Sequence, residues 1–149
     1  MLDRFERFSF SIMCVTRYWH KIVTDEMEKH GLKGPYAIYL LALHRNREGI
    51  TSIKLAELCG KDKSDASRTI SEMEKAGLVY KEGNRYRALI RLTREGKEVA
   101  DRICERAAIA VEIAGRDLTE ENRKIFYSAL DSISANLQVL SEDGIPQEL

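Results

Sequence analysis

Proline is almost missing from this chain, with two residues in 149, and glycine is modest at nine. So little of either leaves small room for long irregular stretches, and folded elements are the expected content. No apolar run approaches the roughly 18 to 20 residues that span a bilayer. The opening Met1-Leu2-Asp3-Arg4-Phe5-Glu6-Arg7 lacks the layout of a secretion signal. A cytoplasmic protein that does not engage membranes is therefore expected. The three cysteines, Cys14, Cys59 and Cys104, are odd in number and widely separated, which argues against a disulfide framework, a zinc knuckle or a redox dithiol. His20, His30 and His44 share no convincing metal spacing with carboxylates: His44 and Glu48 are four apart, but Gly49 follows at once. Gly-rich phosphate loops, nucleophile elbows and paired catalytic carboxylates are absent too, so neither an enzymatic activity, a metal nor a cofactor is expected.

Net charge is also missing, with 24 basic against 24 acidic side chains. Taken alone, that balance argues against nucleic acid, whose affinity comes largely from neutralised phosphates. Its distribution argues otherwise. Residues 1–60 carry a balance of +2, residues 61–97 of +4 and residues 98–149 of −6. Binding depends on the local face and not on the sum, so the basic middle segment is the place to look.

What is present is helical periodicity. Phe5, Phe8, Ile12, Val15, Trp19 and Ile22 recur at steps of 3, 4, 3, 4 and 3, which predicts one long helix from about Asp3 to Lys29. Gly31 and Gly34-Pro35 break it, and the dense apolar run Tyr36 to Leu43 predicts a buried helix ended by Gly49. Thr51 caps a short helix through Leu58, Gly60 turns the chain, and Asp62 caps a second helix over Lys63 to Ala76. In that second helix Ala66, Ile70 and Met73 form the inward stripe, while Ser64, Asp65, Ser67, Arg68 and Ser71 stay polar on the other side. Gly77 stops it. Val79 to Lys81 and Tyr86 to Leu92 predict a hairpin around Glu82-Gly83-Asn84-Arg85, with Tyr86, Ala88, Ile90 and Leu92 on one face and Arg87, Leu89 and Arg91 on the other. Thr93 caps a further helix striped by Val99, Ile103, Ala107, Ala110 and Ala114. Leu118-Thr119 starts the last one, striped by Phe126, Leu130, Ile133, Leu137 and Leu140, with a frayed tail after Ser141.

The resulting fold class is mainly α with a small β-hairpin wing: a winged helix-turn-helix between long amino- and carboxyl-terminal helices. Residues 1–30 and 98–141 are expected to form a helical dimerisation region, 34–97 the winged helix-turn-helix, and 142–149 a tail, all in one intertwined domain. Helix, turn, helix and basic hairpin in order are the parts of a reader of duplex DNA. Ser64, Ser67 and Ser71 are small enough to let a helix approach the floor of the major groove, and Arg68 can offer a bidentate fork to guanine. Asp65 can accept from a cytosine amine or complete the cap. Lys63 at the helix amino terminus suits a phosphate oxygen. Arg85 and Arg87 are candidates for a minor groove or flanking backbone, and Arg91 for a phosphate or an ion pair within the fold. A solvated surface is the ordinary fate of any one such polar face, and the alternative functions are a protein-interaction module, which the neutral net charge suggests, or a thiol or aromatic-ligand sensor with little DNA selectivity.

The stretches Thr51-Ser52-Ile53-Lys54-Leu55-Ala56-Glu57-Leu58-Cys59-Gly60, Lys63-Ser64-Asp65-Ala66-Ser67-Arg68 through Leu78, and Ile90-Arg91-Leu92-Thr93-Arg94-Glu95-Gly96 resemble the helix-turn-helix, recognition helix and wing-to-helix junction of the multiple-antibiotic-resistance regulator (MarR) family. With the long flanking helices the resemblance covers nearly the whole chain. It implies a transcriptional regulator, a homodimer built from interleaved terminal helices, palindromic operators, and release by a small ligand. The Phe5 to Ile22 and Phe126 to Leu140 stripes support a helical interface independently, because such seams need partners. In that family the wing carries an acidic residue two positions before an arginine at a longer tip. The short tip read here departs from that pattern and makes Arg87 a competitor of Arg85.

The resemblance further implies an effector site between the dimer helices and the DNA-binding lobe. Tyr18, Trp19, Tyr36 and Tyr39 are the candidates for holding a small aromatic effector there, against the plainer reading that they are core. Some members of the family sense peroxide through a first-helix cysteine. Cys14 occupies such a position, and a small hydrophobe in the core is its plainer role.

Overall fold

A computed structural model describes residues 2–148, which form six helices and one small sheet. The order is α1 (Leu2–Glu28), α2 (Tyr36–Arg45), β1 (Ile50–Thr51), α3 (Ser52–Cys59), α4 (Lys63–Lys75), β2 (Val79–Glu82), β3 (Leu89–Leu92), α5 (Arg94–Ala114) and α6 (Glu120–Asp143). Two compact units divide the chain, one up to Ala108 and one from Ile109 onward. Among the described residues no helix is long and apolar enough to cross a membrane.

The first unit owns the core. Met27 at the end of α1, Tyr39, Leu40 and Leu43 of α2, Leu55 of α3, Ile70 and Met73 of α4, and Ile90 of β3 are all at most 1% exposed. Ile70, Met73 and Ile90 come from the faces expected to turn inward and the α2 residues from the run expected to be buried, whereas Met27 lies outside the stripe read along α1. Exposure runs the other way along α1 before that point: Phe5 and Val15 are each 66% exposed. The α3 helix starts where Thr51 accepts a hydrogen bond from the Lys54 N–H, and it ends at Gly60, whose φ of 61° is left-handed and suits a residue without a Cβ. Asp62 then caps α4 by accepting from the Asp65 N–H at 2.8 Å.

The sheet departs from the expected hairpin in two ways. A third strand, β1, is present, so that β3 is central, pairing Ile50 with Ile90 on one side and Val79 with Leu92 on the other, both antiparallel. Two residues are too short to show a period, and Thr51 was already assigned as a cap. The second departure concerns the wing. β3 begins at Leu89 and not at Tyr86, and β2 ends with Glu82 opposite Leu89, so the connection is the six residues Gly83 to Ala88. Gly83 has a φ of 99°, which takes the chain out of the extended region, and the Arg87 N–H then closes a turn on the Asn84 carbonyl at 2.9 Å. Tyr86 is 96% exposed and belongs to no apolar face. Arg87 lies in the loop, not on the strand. The tip is therefore longer than the sequence pattern suggested.

The junction after the wing is tight. The Thr93 hydroxyl donates to the Gly77 carbonyl at 2.5 Å and accepts from the Gly96 N–H at 3.0 Å, which caps α5. Gly96 lies so close to the Leu78 carbonyl that a Cβ there would overlap it.

In the second unit Thr119 caps α6 by accepting from the Asn122 N–H, and Arg123 ties α6 back through Glu112 at 2.7 Å and the Gly115 carbonyl at 2.9 Å. No residue of α6 is buried, and the helix runs to Asp143, past the start of the expected tail.

Candidate nucleic-acid interface

The outer side of α4 is built by its inner side. Ala66, Thr69, Ile70 and Met73 anchor the helix in the core, so Ser64, Ser67, Arg68 and Ser71 are left exposed on the opposite side, with Lys63 at the start. Serines keep that face low, and Arg68 stands above it. The Arg68 guanidinium sits 2.7 Å from Asp65, which uses one nitrogen of the fork and leaves other N–H groups available. Asp65 is thus an ion-pair partner, while the capping carboxylate is that of Asp62. Lys63 has no acidic partner among the described residues.

Arg85 and Arg87 sit together in the wing loop, both exposed and both without an ion pair among the described residues. Their charge is available to an anionic partner. Arg91, by contrast, stands on the face of β3 opposite the buried Ile90 and Leu92 and lies 2.6 Å from Glu82, with its N–H directed away from the line required for a hydrogen bond. It pairs within the fold, one of the two roles the sequence left open.

A network that local sequence patterns could not reveal lies beside this face. Glu72, on α4, accepts from Lys33 at 2.9 Å and from the Tyr36 hydroxyl at 3.0 Å. The Lys33 ammonium, then the Tyr36 hydroxyl, hold the Glu72 carboxyl below its ordinary range. The partners are 39 and 36 residues away, so no helical or strand spacing signals them.

The four aromatic candidates do not converge. Tyr18 is exposed on α1, its ring beneath the Arg17 guanidinium at 4.9 Å. Tyr36 and Tyr39 are buried core, 6% and 1% exposed, and burial raises both phenols above their ordinary value. Only Trp19 reaches a groove, of about 470 Å³, that runs between α1, α2, the end of α3 and α5. Its walls include Val23, Ile38, Leu41 and Ile103, and its polar groups include His20, Lys61 and the thiols of Cys59 and Cys104. Sequence reasoning did not gather these. Burial pushes the Cys59 thiol up to about 11 and raises Cys104 too. Cys14 is exposed on α1 instead of serving as a core hydrophobe. No three His, Cys, Asp or Glu side chains among the described residues cluster as a metal site would.

Comparison with known proteins places this geometry. Residues 30–87, from just after α1 to the wing loop, match the sequence profile of the MarR family. No functionally curated protein is close enough in sequence to count as a relative. Several solved structures share its fold. A protein of Listeria monocytogenes described as a MarR-family transcriptional regulator, crystallised with a 26-mer DNA, superposes with a TM-score of 0.80 at 24% identity, over 93% of this chain and 96% of its own. The transcriptional regulator SlyA gives 0.80 at 25% identity over 92% and 96%. A MarR-family regulator from Silicibacter pomeroyi gives 0.73 at 22% identity over 86% and 88%. Residues 30–87 thus carry the sequence profile of the MarR family, and over about nine-tenths of its length the chain shares the fold of solved MarR-family transcriptional regulators.

Proposed function

We propose that the protein is a sequence-specific double-stranded DNA-binding regulator that acts in the cytoplasm as a homodimer on a palindromic operator, and as a repressor released by a small aromatic ligand. The observation that carries the reading is the exposed face of α4, with Lys63, Ser64, Ser67, Arg68 and Ser71, followed by a wing loop whose Arg85 and Arg87 have no acidic partner among the described residues. The DNA held by the Listeria relative supports it. Two copies related by a twofold axis would place their α4 helices in successive major grooves, about 34 to 36 Å apart. Arg68 and the serines read bases. Lys63, Arg85 and Arg87 hold phosphates or a minor groove, while Asp65 orients Arg68.

The homodimer is supported by the apolar stripes that α1 and α6 each leave uncovered. Residues 1–30 and 98–141 are then the dimerisation region and 34–97 the reading region. The effector site is the groove beside Trp19, where apolar walls suit an aromatic ring and Lys61 supplies a cation. The chemistry needs no enzyme and no cofactor.

The test is binding of the purified protein to fragments of its own upstream DNA against random duplex, at several salt concentrations. Selective binding that weakens steeply with salt is expected. Weak, unselective binding with a flat salt response would overturn the reading in favour of a protein-interaction module.

A further inference from the structure

We propose that Lys33 and Tyr36 are positioning residues for base reading: by occupying Glu72 they keep that carboxylate from drawing Arg68 off the reading face. This rests on the reading of α4 as the base-contacting helix.

Arg68 lies between two acids on one side of α4, three residues after Asp65 and four before Glu72. Both spacings bring side chains together on a helix. The Asp65 contact, at 2.7 Å, takes one nitrogen of the guanidinium. The rest of the fork is what guanine O6 and N7 would meet. A second carboxylate one turn further along would compete for those same N–H groups, and the positive charge of Arg68 already acts on Glu72. Glu72 is not idle, however. Its Oε2 accepts from Lys33 at 2.9 Å and from Tyr36 at 3.0 Å. Exposed ion pairs contribute little to folding, so the main consequence of the Lys33 contact is where neighbouring charges point.

The same segment links α4 to the groove. Gly34 and Pro35, which lie between Lys33 and Tyr36, line it, and Gly34 packs against Thr24 so closely that a Cβ would come within 2.6 Å of the threonine hydroxyl. An occupant that displaced this segment would move both partners of Glu72. The freed carboxylate would then take Arg68 from the base.

A double-mutant cycle tests the proposal, with a duplex selected by the unaltered protein from a randomised pool and a random duplex as competitor. Lys33→Ala is expected to lower the selected-over-random ratio about two- to fivefold. Tyr36→Phe should act in the same direction and less. Within a Glu72→Gln chain, and within an Arg68→Ala chain, Lys33→Ala should leave the ratio unchanged. A Lys33→Ala loss that persists in the Glu72→Gln chain would overturn the proposal, because Lys33 would then act by itself, as a phosphate contact would. No loss at all, in a protein whose selectivity does fall with Arg68→Ala, would overturn this proposal alone. If the unaltered protein selects no duplex, the reading of α4 falls and the proposal falls with it. Lys33 is exposed, so its removal leaves the fold intact, and unchanged thermal unfolding verifies that.

Discussion

The winged-helix lobe and the last helix treat the same kind of residue in opposite ways. In the lobe Leu40 and Leu55 are fully buried and Ile70 is 1% exposed, whereas in α6 Phe126, Ile133 and Leu137 are 50%, 39% and 47% exposed. Each of these residues belongs to the apolar side of its own helix. A stripe therefore shows that a face is meant to be covered, not by what. The lobe covers its stripes with its own chain, and α6, like the first turns of α1, leaves that work to something else. This gives the two regions different expected sensitivities to the same chemistry.

The largest difference should appear on truncation. Leu40→Ala removes atoms from a closed core and is expected to cost about 2 to 5 kcal/mol, at any protein concentration, in denaturant unfolding. Leu137→Ala should cost little at high dilution and more as concentration rises, because its burial depends on association. Equal costs at all concentrations would erase the distinction between the regions. A charge sharpens it further. Ile133→Glu is expected to weaken self-association by at least about thirtyfold, the scale of an interface hot spot, while the lobe keeps its helical signal. Sedimentation of the two proteins measures this, and an unaltered protein that stays monomeric at micromolar concentration would show that the stripe meets another partner.

How much of this was legible beforehand follows from the range of the interactions. Caps and inward stripes are local: Thr51, Asp62, Thr93 and Thr119 cap where their spacing said they would, and Ala66, Ile70 and Met73 turn inward as expected. The wing was misjudged because β propensity in Tyr86 and Arg87 competes with Gly83, and the positive φ of that glycine decides the outcome. β1 escaped notice because a two-residue strand exists only through its partner at Ile90. The Lys33, Tyr36 and Glu72 cluster, and the gathering of Trp19, Cys59, Lys61 and Cys104 around one groove, depend on how distant segments pack, and no local period encodes that. Tyr36 and Tyr39 satisfy an aromatic-pocket pattern and a core pattern alike, and burial assigns them to the core.

The outer face of the lobe offers a smaller and more specific contrast. Arg68→Ala is expected to cost about 1 to 3 kcal/mol and relax base preference, whereas Lys63→Ala should weaken all duplexes alike and reduce the salt slope by about one. Titrations on selected and random duplex separate them. Equal losses on both duplexes for Arg68→Ala would assign it to phosphate and leave base reading to the serines.

The thiols carry the contrast down to single atoms. Cys14 is exposed on α1, while Cys59 lies half-buried in the groove with its thiol pushed up to about 11. Only a thiolate attacks an alkylating reagent, and an ordinary thiol near 8.5 is about a quarter ionised at pH 8 where one near 11 is about a thousandth ionised. Iodoacetamide at pH 8 is therefore expected to modify Cys59 at least about a hundredfold more slowly in the folded than in the urea-unfolded protein, while exposure leaves Cys14 open to the reagent, with mass spectrometry of timed samples as the readout. Cys59 should gain about tenfold in rate per pH unit below its folded value. The linkage has a definite sign: a thiol less acidic folded than unfolded contributes stability that is full below the unfolded value near 8.5 and lost as pH rises toward 11. Comparable Cys59 rates in the folded and unfolded protein at pH 8 would mean that the groove opens to water. A groove that holds an aromatic ligand should slow Cys59 and Cys104 still further and leave Cys14 alone, so the same measurement separates an occupied groove from an empty one.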